Sequence, residues 1–268
     1  MNKFKKVLIG IKLLLEKPSL INLIIDSNTR WENFLKKKYP EKVQLPTIDI
    51  EDLIPNFNET LNTFSFLGGG SLPTDIILLK SICKQIPNCS YFEIGTWRGE
   101  SVINVSENAK DCCTLNLPRQ DIIALGLSKK YADLHGFFSK EKKNITHLFG
   151  DSLIYDFKKL NKKYDVIFID GNHTFNYVKN DTKKIFQHLM HEDSIVIWHD
   201  YAYTPEKVRA EVLAGILDGI PEKYKENLYH VSNTLCAIYT KKKLNNTILN
   251  FPVKPKKYFT INITLKNI

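Results

Sequence analysis

The stretch Glu93-Ile94-Gly95-Thr96-Trp97-Arg98-Gly99-Glu100-Ser101 follows directly on a short apolar run and leads into a helix-length segment. Glycines at 95 and 99 allow a tight strand-to-helix turn whose backbone can approach a ligand, and the helix that follows presents free N–H groups to an anionic end. Glu93, just before the turn, could hold a cationic amine. An acid beside a helix N-terminus suits an amino-acid zwitterion better than a pyrophosphate. The Gly-x-x-x-Gly spacing also departs from the dinucleotide Gly-x-Gly-x-x-Gly fingerprint. The plain alternative is a turn with a structural role only.

Outward from this turn the pattern repeats. Apolar runs at 91–94, 112–117, 145–149, 166–169 and 195–198 are mostly too continuous for half-exposed antiparallel strands. Helix-length segments separate them, and the clearest one carries Phe175, Val178, Ile185, Phe186, Leu189 and Met190 on one face. That alternation predicts an α/β fold, a Rossmann-like doubly wound and mostly parallel sheet. A last pair near 228–231 and 235–240 completes it with an antiparallel C-terminal hairpin strand. Thr74 and Asp75 suit a helix start for residues 76–86. Residues 40–73, with Pro46, Pro55 and Pro73 and the run Gly68-Gly69-Gly70-Ser71, read as a connection with a flexible loop.

In open α/β sheets ligands bind outside the carboxyl ends of the strands. Two of those ends read Asp170-Gly171-Asn172-His173 and His199-Asp200-Tyr201, with a single crossover between them. Adjacent parallel strands lie about 4.8 Å apart, so Asp170 and Asp200 are expected side by side at the rim. Two acids there repel unless something positive joins them, and an octahedral Mg²⁺ or Mn²⁺ would do so. Alternatively both aspartates cap helices and the histidines bond locally.

With these residues in place, the chain resembles class I S-adenosylmethionine-dependent methyltransferases over residues 74–240. It is most similar to the metal-dependent O-methyltransferases, including catechol-type enzymes and the bacterial group that modifies sugars and antibiotics. Residues 93–101 match the pattern acid-x-Gly-x-aromatic-x-Gly-x-Ser. The resemblance implies S-adenosylmethionine as cofactor, with Glu93 on the methionine amine, Gly95, Thr96, Trp97 and Gly99 around the cofactor, and Ser101 on its carboxylate. It places Gly150-Asp151-Ser152 on the adenine side and makes Asp170, His199 and Asp200 the ligands of Mg²⁺ or another divalent metal. His173 stands where catechol-type enzymes carry a lysine base. Two positions depart from the family: Asn116 replaces the acid that accepts from the ribose hydroxyls, and His199 replaces an acid at the metal.

The chemistry expected from these positions is methyl transfer to a hydroxyl of a small molecule, sugar or glycan. The acceptor oxygen would coordinate the metal beside Asp170 and Asp200, which favours its deprotonation, and His173 would take the proton. Tyr201, Tyr203 and the glycine loop could shape a polar acceptor pocket. An NAD-dependent Rossmann oxidoreductase, a metal-dependent hydrolase and a catalytically silent binding or assembly module are the competing classes.

Composition bounds the remainder. The 268 residues carry a formal charge of +9, of which residues 1–43 hold +6 and residues 241–268 hold +7, leaving residues 44–240 at −4. Only four cationic residues are arginines (Arg30, Arg98, Arg119 and Arg209), which argues against nucleic acid as partner. Five cysteines without a Cys-x-x-Cys pair read as free thiols of a cytoplasmic protein. Phe4, Val7, Leu8, Ile11, Leu14 and Leu15 recur at helical spacing among lysines, a basic amphipathic helix expected to dock on the domain or a sister subunit in a homo-oligomer, or to lie on a membrane surface. A second helix uses Leu20, Leu23, Ile24, Trp31, Phe34 and Leu35. The division expected is a helical extension at 1–73, a catalytic domain at 74–240 and a basic tail at 241–268.

Overall fold

The computed structural model describes residues 2–20 and 27–268. Its centre is an eight-stranded sheet whose parallel strands are the apolar runs of the sequence. In chain order the strands are β1 (Thr47–Ile48), β2 (Ser90–Ile94), β3 (Asp111–Asn116), β4 (Ile145–Phe149), β5 (Tyr164–Ile169), β6 (Met190–Trp198), the small hairpin β7 (Ala202–Thr204) and β8 (Lys207–Val208), then β9 (Leu228–Val231) and β10 (Ala237–Tyr239). The sheet order is β1-β9-β10-β6-β5-β2-β3-β4, with β7 and β8 forming a separate two-stranded sheet. The five strands β4, β3, β2, β5 and β6 run parallel, while β10 is antiparallel to both β6 and β9. The doubly wound fold and its antiparallel C-terminal strand are therefore as the sequence predicts.

Nine α-helices occur among the described residues: α1 (Lys3–Glu16), α2 (Ser27–Lys38), α3 (Ile50–Leu53), α4 (Pro73–Lys84), α5 (Glu100–Val105), α6 (Arg119–Ala124), α7 (Lys129–Asp133), α8 (Phe175–His188) and α9 (Ala210–Gly219). Two apolar layers result. One side packs Phe92, Ile167, Val196 and Trp198 against Val178, Ile185 and α9; the other packs Tyr91, Val166, Phe168 and Ile197 against Leu78, Leu79 and Ile82 of α4. Strand alternation sends successive side chains to opposite layers, and burial on both faces is why these runs lack polar alternation.

The segment read as a connection is instead built into the domain. β1 pairs in parallel with β9, and Leu45, Ile48, Ile50 and Ile54 join the core. Helix α2 packs on α8 and α9 through Trp31, stacked on Phe175 with centroids 4.8 Å apart, and Asn28 accepts from the first helical N–H of α9 at 2.8 Å. Leu23 and Ile24 lie outside the described residues. In α1 no residue is buried, and Phe4, Val7, Leu8, Ile11 and Leu15 are exposed, so this helix does not dock on the domain. Part of the basic tail folds back on β1: Thr247 bridges Thr47, and Lys257 reaches Asp49 at 2.9 Å. No helix among the described residues is long and apolar enough to cross a membrane.

Candidate functional site

The sheet's parallel ladder continues one residue beyond each strand. Gly95 N–H donates to the Leu115 carbonyl, Asp170 N–H to that of Ile94, and His199 N–H to that of Ile169. Side chains at the carboxyl ends are thus held on one rim, around a cavity of about 730 Å³. Gly95 adopts φ +96°, and a Cβ there would collide with the Asp170 carbonyl, so this turn needs glycine for close packing of β2 on β5.

Gly95, Thr96, Trp97 and Ser101 line the cavity from the turn, Asn116 from the end of β3, and Asp151 and Ser152 from the loop after β4. Asp170, His173, His199 and Asp200 line its other end. Glu93 and Gly99 do not. Gly99 (φ +82°) packs where a Cβ would strike the Ser139 hydroxyl. Glu93 is fully buried beneath the floor, where its carboxyl accepts from Tyr91 Oη at 2.8 Å, Ser101 Oγ at 2.9 Å and Thr114 Oγ1 at 3.0 Å. The direct amine contact expected of Glu93 gives way to a supporting role, through the Ser101 hydroxyl that does reach the cavity. Burial pushes its pKa up to about 8, against the three hydroxyls that favour the ionised form. Tyr201 and Tyr203 also stay off the cavity: Tyr201 is buried with its hydroxyl accepting from Leu45 N–H, and Tyr203 is on the outer hairpin.

The acidic end differs most from expectation. His199 is buried, with Nε2 3.0 Å from Asp75 Oδ2 and Nδ1 3.1 Å from Asp170 Oδ1 and 3.2 Å from Asp200 Oδ2. A ring with carboxylates at both nitrogens is satisfied only when both nitrogens carry protons. Burial disfavours that charge, but Asp170, Asp200 and Asp75 outweigh it and hold the imidazolium well above the ordinary histidine range. Asp75 holds Nε2 as a donor, and Nδ1 faces Asp170 and Asp200, where it either carries a proton between them or turns its lone pair to a cation they share. Arg209 adds a second cation, 3.5 Å from Asp200. Burial would raise the Asp200 carboxyl, but His199, His173 and Arg209 bring it down to about 2.

Another set, Asp170, His173 and Asp200, brings one ligand atom from each within 4.8 Å of one another. Its members are already engaged: Asp170 and Asp200 with His199, and His173 Nε2 with Asp200 Oδ2 at 3.0 Å. That last pair leaves Nδ1 of a half-buried imidazole as the ring atom able to take a proton from a bound molecule.

Three features escape the sequence reading. Asp75, read as a helix start, is fully buried and accepts at once from Leu72 N–H (2.7 Å), Leu235 N–H (2.8 Å) and His199. The glycine loop, read as flexible, forms a cavity wall: Arg98 donates to the Leu67 and Gly68 carbonyls at 3.2 Å, and its partner Glu100 accepts from Ser65 N–H and Oγ at 2.6 Å. His135, from the chain between β3 and β4, packs edge-on to Trp97, with centroids 5.1 Å apart. Only the Arg-x-Glu spacing on the turn hinted at any of these.

Residues 92–201 match the model of a methyltransferase domain family. No curated protein matches the chain. Among solved structures, the chain is similar to an SAH-bound methyltransferase of Podospora anserina, at 14% identity over 81% of this chain and 88% of that one, TM-score 0.44. It is also similar to a candidate caffeoyl-CoA O-methyltransferase of Staphylococcus aureus, at 18% identity over 84% of this chain and 99% of that one, TM-score 0.43. A candidate O-methyltransferase of Klebsiella pneumoniae aligns at 16% identity over 65% of this chain and 82% of that one, TM-score 0.41.

Proposed function

We propose, from the match of residues 92–201 to a methyltransferase domain family, that the chain moves the methyl group of S-adenosylmethionine to a hydroxyl of a small molecule or glycan. The observation that carries this reading is a single cavity joining the Gly95–Ser101 turn, Asn116 and Asp151 at one end to the His173–Asp200 pair at the other. A cofactor lying across the strand ends would place its adenosine towards Asn116 and Asp151 and its amino-acid end at the turn. Its sulfonium methyl then faces the acidic end.

The sulfonium is already activated, so the protein's contribution is orientation and removal of one proton. The acceptor hydroxyl lies beside Asp170 and gives its proton to His173 Nδ1, while Asp200 holds the opposite ring nitrogen and stabilises the imidazolium that forms. The oxygen attacks the methyl carbon as the carbon–sulfur bond breaks, leaving S-adenosylhomocysteine and the methyl ether. In this reading the protonated His199 neutralises Asp170 and Asp200.

The test is an S-adenosylhomocysteine-release assay over a panel of catechols, free sugars and glycans, combined with calorimetric binding of S-adenosylhomocysteine. Micromolar binding, and turnover on a panel member that falls at least a hundredfold in His173→Ala, supports the reading. Absence of binding, or His173→Ala at wild-type turnover, overturns it.

A further inference from the structure

In a doubly wound fold the carboxyl end of the strand next to the glycine turn meets the ribose hydroxyls of a bound nucleoside, and an acid there commonly accepts from them. Here that position is Asn116, whose amide can turn either an oxygen or a nitrogen to the ligand. Its Nδ2 lies 3.2 Å from the Leu117 carbonyl oxygen and 2.8 Å from His135 Nδ1. A carbonyl oxygen can only accept, so the edge facing Leu117 must be the NH₂ edge. The same NH₂ then donates to His135, and Nδ1 must be the unprotonated ring nitrogen. Burial lowers the His135 pKa, which keeps the ring neutral and preserves this arrangement.

We propose that His135 is a positioning residue that locks the Asn116 amide with Oδ1 towards the cofactor, giving the site a ribose acceptor without a negative charge. The inference rests on the methyltransferase reading. His135 is itself held in place: Gly136 N–H donates to the Trp97 carbonyl at 2.6 Å and Phe138 N–H to that of Arg98 at 2.9 Å. The nucleotide-side loop is thereby strapped to the glycine turn. The tautomer fixed by Asn116 puts a proton on His135 Nε2, and that atom and the neighbouring Trp97 Nε1 are both buried without a hydrogen-bond partner among the described residues. Both side chains line the cavity. Asn116 Oδ1 serves the ribose diol.

The test is calorimetric titration of the full chain with S-adenosylhomocysteine and with its 2′-deoxy and 3′-deoxyribose analogues. The wild type should bind the parent about tenfold better than the analogue lacking the bonded hydroxyl, the size of one hydrogen bond. His135→Phe keeps the ring packing but removes the acceptor that fixes the amide, and its discrimination should fall towards unity. His135→Gln, whose side-chain oxygen can accept from Asn116, should restore it. Asn116→Asp supplies two equivalent oxygens, so in that background His135→Phe should leave discrimination intact.

Wild-type discrimination in His135→Phe, or a loss that is equal whether or not the chain also carries Asn116→Asp, overturns the proposal while leaving the methyltransferase reading standing. No binding of S-adenosylhomocysteine by the wild type overturns both.

Discussion

Nε2 of His199 lies 3.0 Å from Oδ2 of Asp75, joining the end of β6 to the first turn of α4 across 124 positions of sequence. Both groups are buried, and Asp75 also accepts from two backbone N–H groups. Removing one partner of a buried pair leaves an uncompensated charge and typically costs about 3–5 kcal/mol. Asp75→Ala should lose stability of that size in urea denaturation. A loss below about 1 kcal/mol would show that the pair is not formed.

The imidazolium of His199 is read as the cation of the acidic end, with Asp170 and Asp200 on its Nδ1 side. Turnover should therefore be insensitive to a chelator. His199→Gln removes that charge and leaves two carboxylates facing each other, so this variant should gain Mn²⁺ binding, detectable by electron paramagnetic resonance. If the wild type instead binds Mn²⁺ and loses it in His173→Ala, the set Asp170, His173 and Asp200 holds a metal.

Glu93 carries a pH dependence of definite sign. Its carboxyl is raised from 4.5 to about 8 in the folded chain, chiefly by burial. As pH rises through 4.5 the unfolded chain ionises first, so the stabilisation present below that pH is lost progressively up to about 8. Glu93→Gln cannot ionise. The wild type should lose on the order of 4 kcal/mol relative to this variant between about pH 4 and pH 8, measured as the difference between their urea denaturation free energies. Parallel pH profiles for the two proteins would contradict the burial of a neutral Glu93.

Arg98 holds the glycine loop against the cofactor turn through the Leu67 and Gly68 carbonyls. Arg98→Ala should free residues 65–71, seen as faster limited proteolysis there, and should weaken S-adenosylhomocysteine binding about tenfold. Unchanged cleavage and affinity would mean that the loop keeps its place without the guanidinium.

The strands were legible because burial on both faces writes continuous apolar runs, and runs 91–94, 145–149 and 195–198 fall within β2, β4 and β6. The cavity's rim was equally readable, since the residues that follow the strands must gather there. Roles were less so. Asp170, His199 and Asp200 meet at the rim, but a sequence cannot show that Asp75, over a hundred positions upstream, claims the second nitrogen of His199. Glu93 occupies a motif position whose direction is set by the pleat, and the pleat points it under the floor to Tyr91 and Thr114. β1 is two residues long, too short for any periodic signal, yet its pairing draws residues 45–54 into the core.

Whether the cavity binds S-adenosylmethionine without help from a metal can be measured directly. Calorimetric titration of the full chain with S-adenosylmethionine, in buffer containing a chelator, should give one-to-one binding in the micromolar range that the chelator leaves unchanged. No binding with or without added Mg²⁺ would contradict the methyltransferase reading, and binding that appears only when Mg²⁺ or Mn²⁺ is restored would contradict the place given to His199.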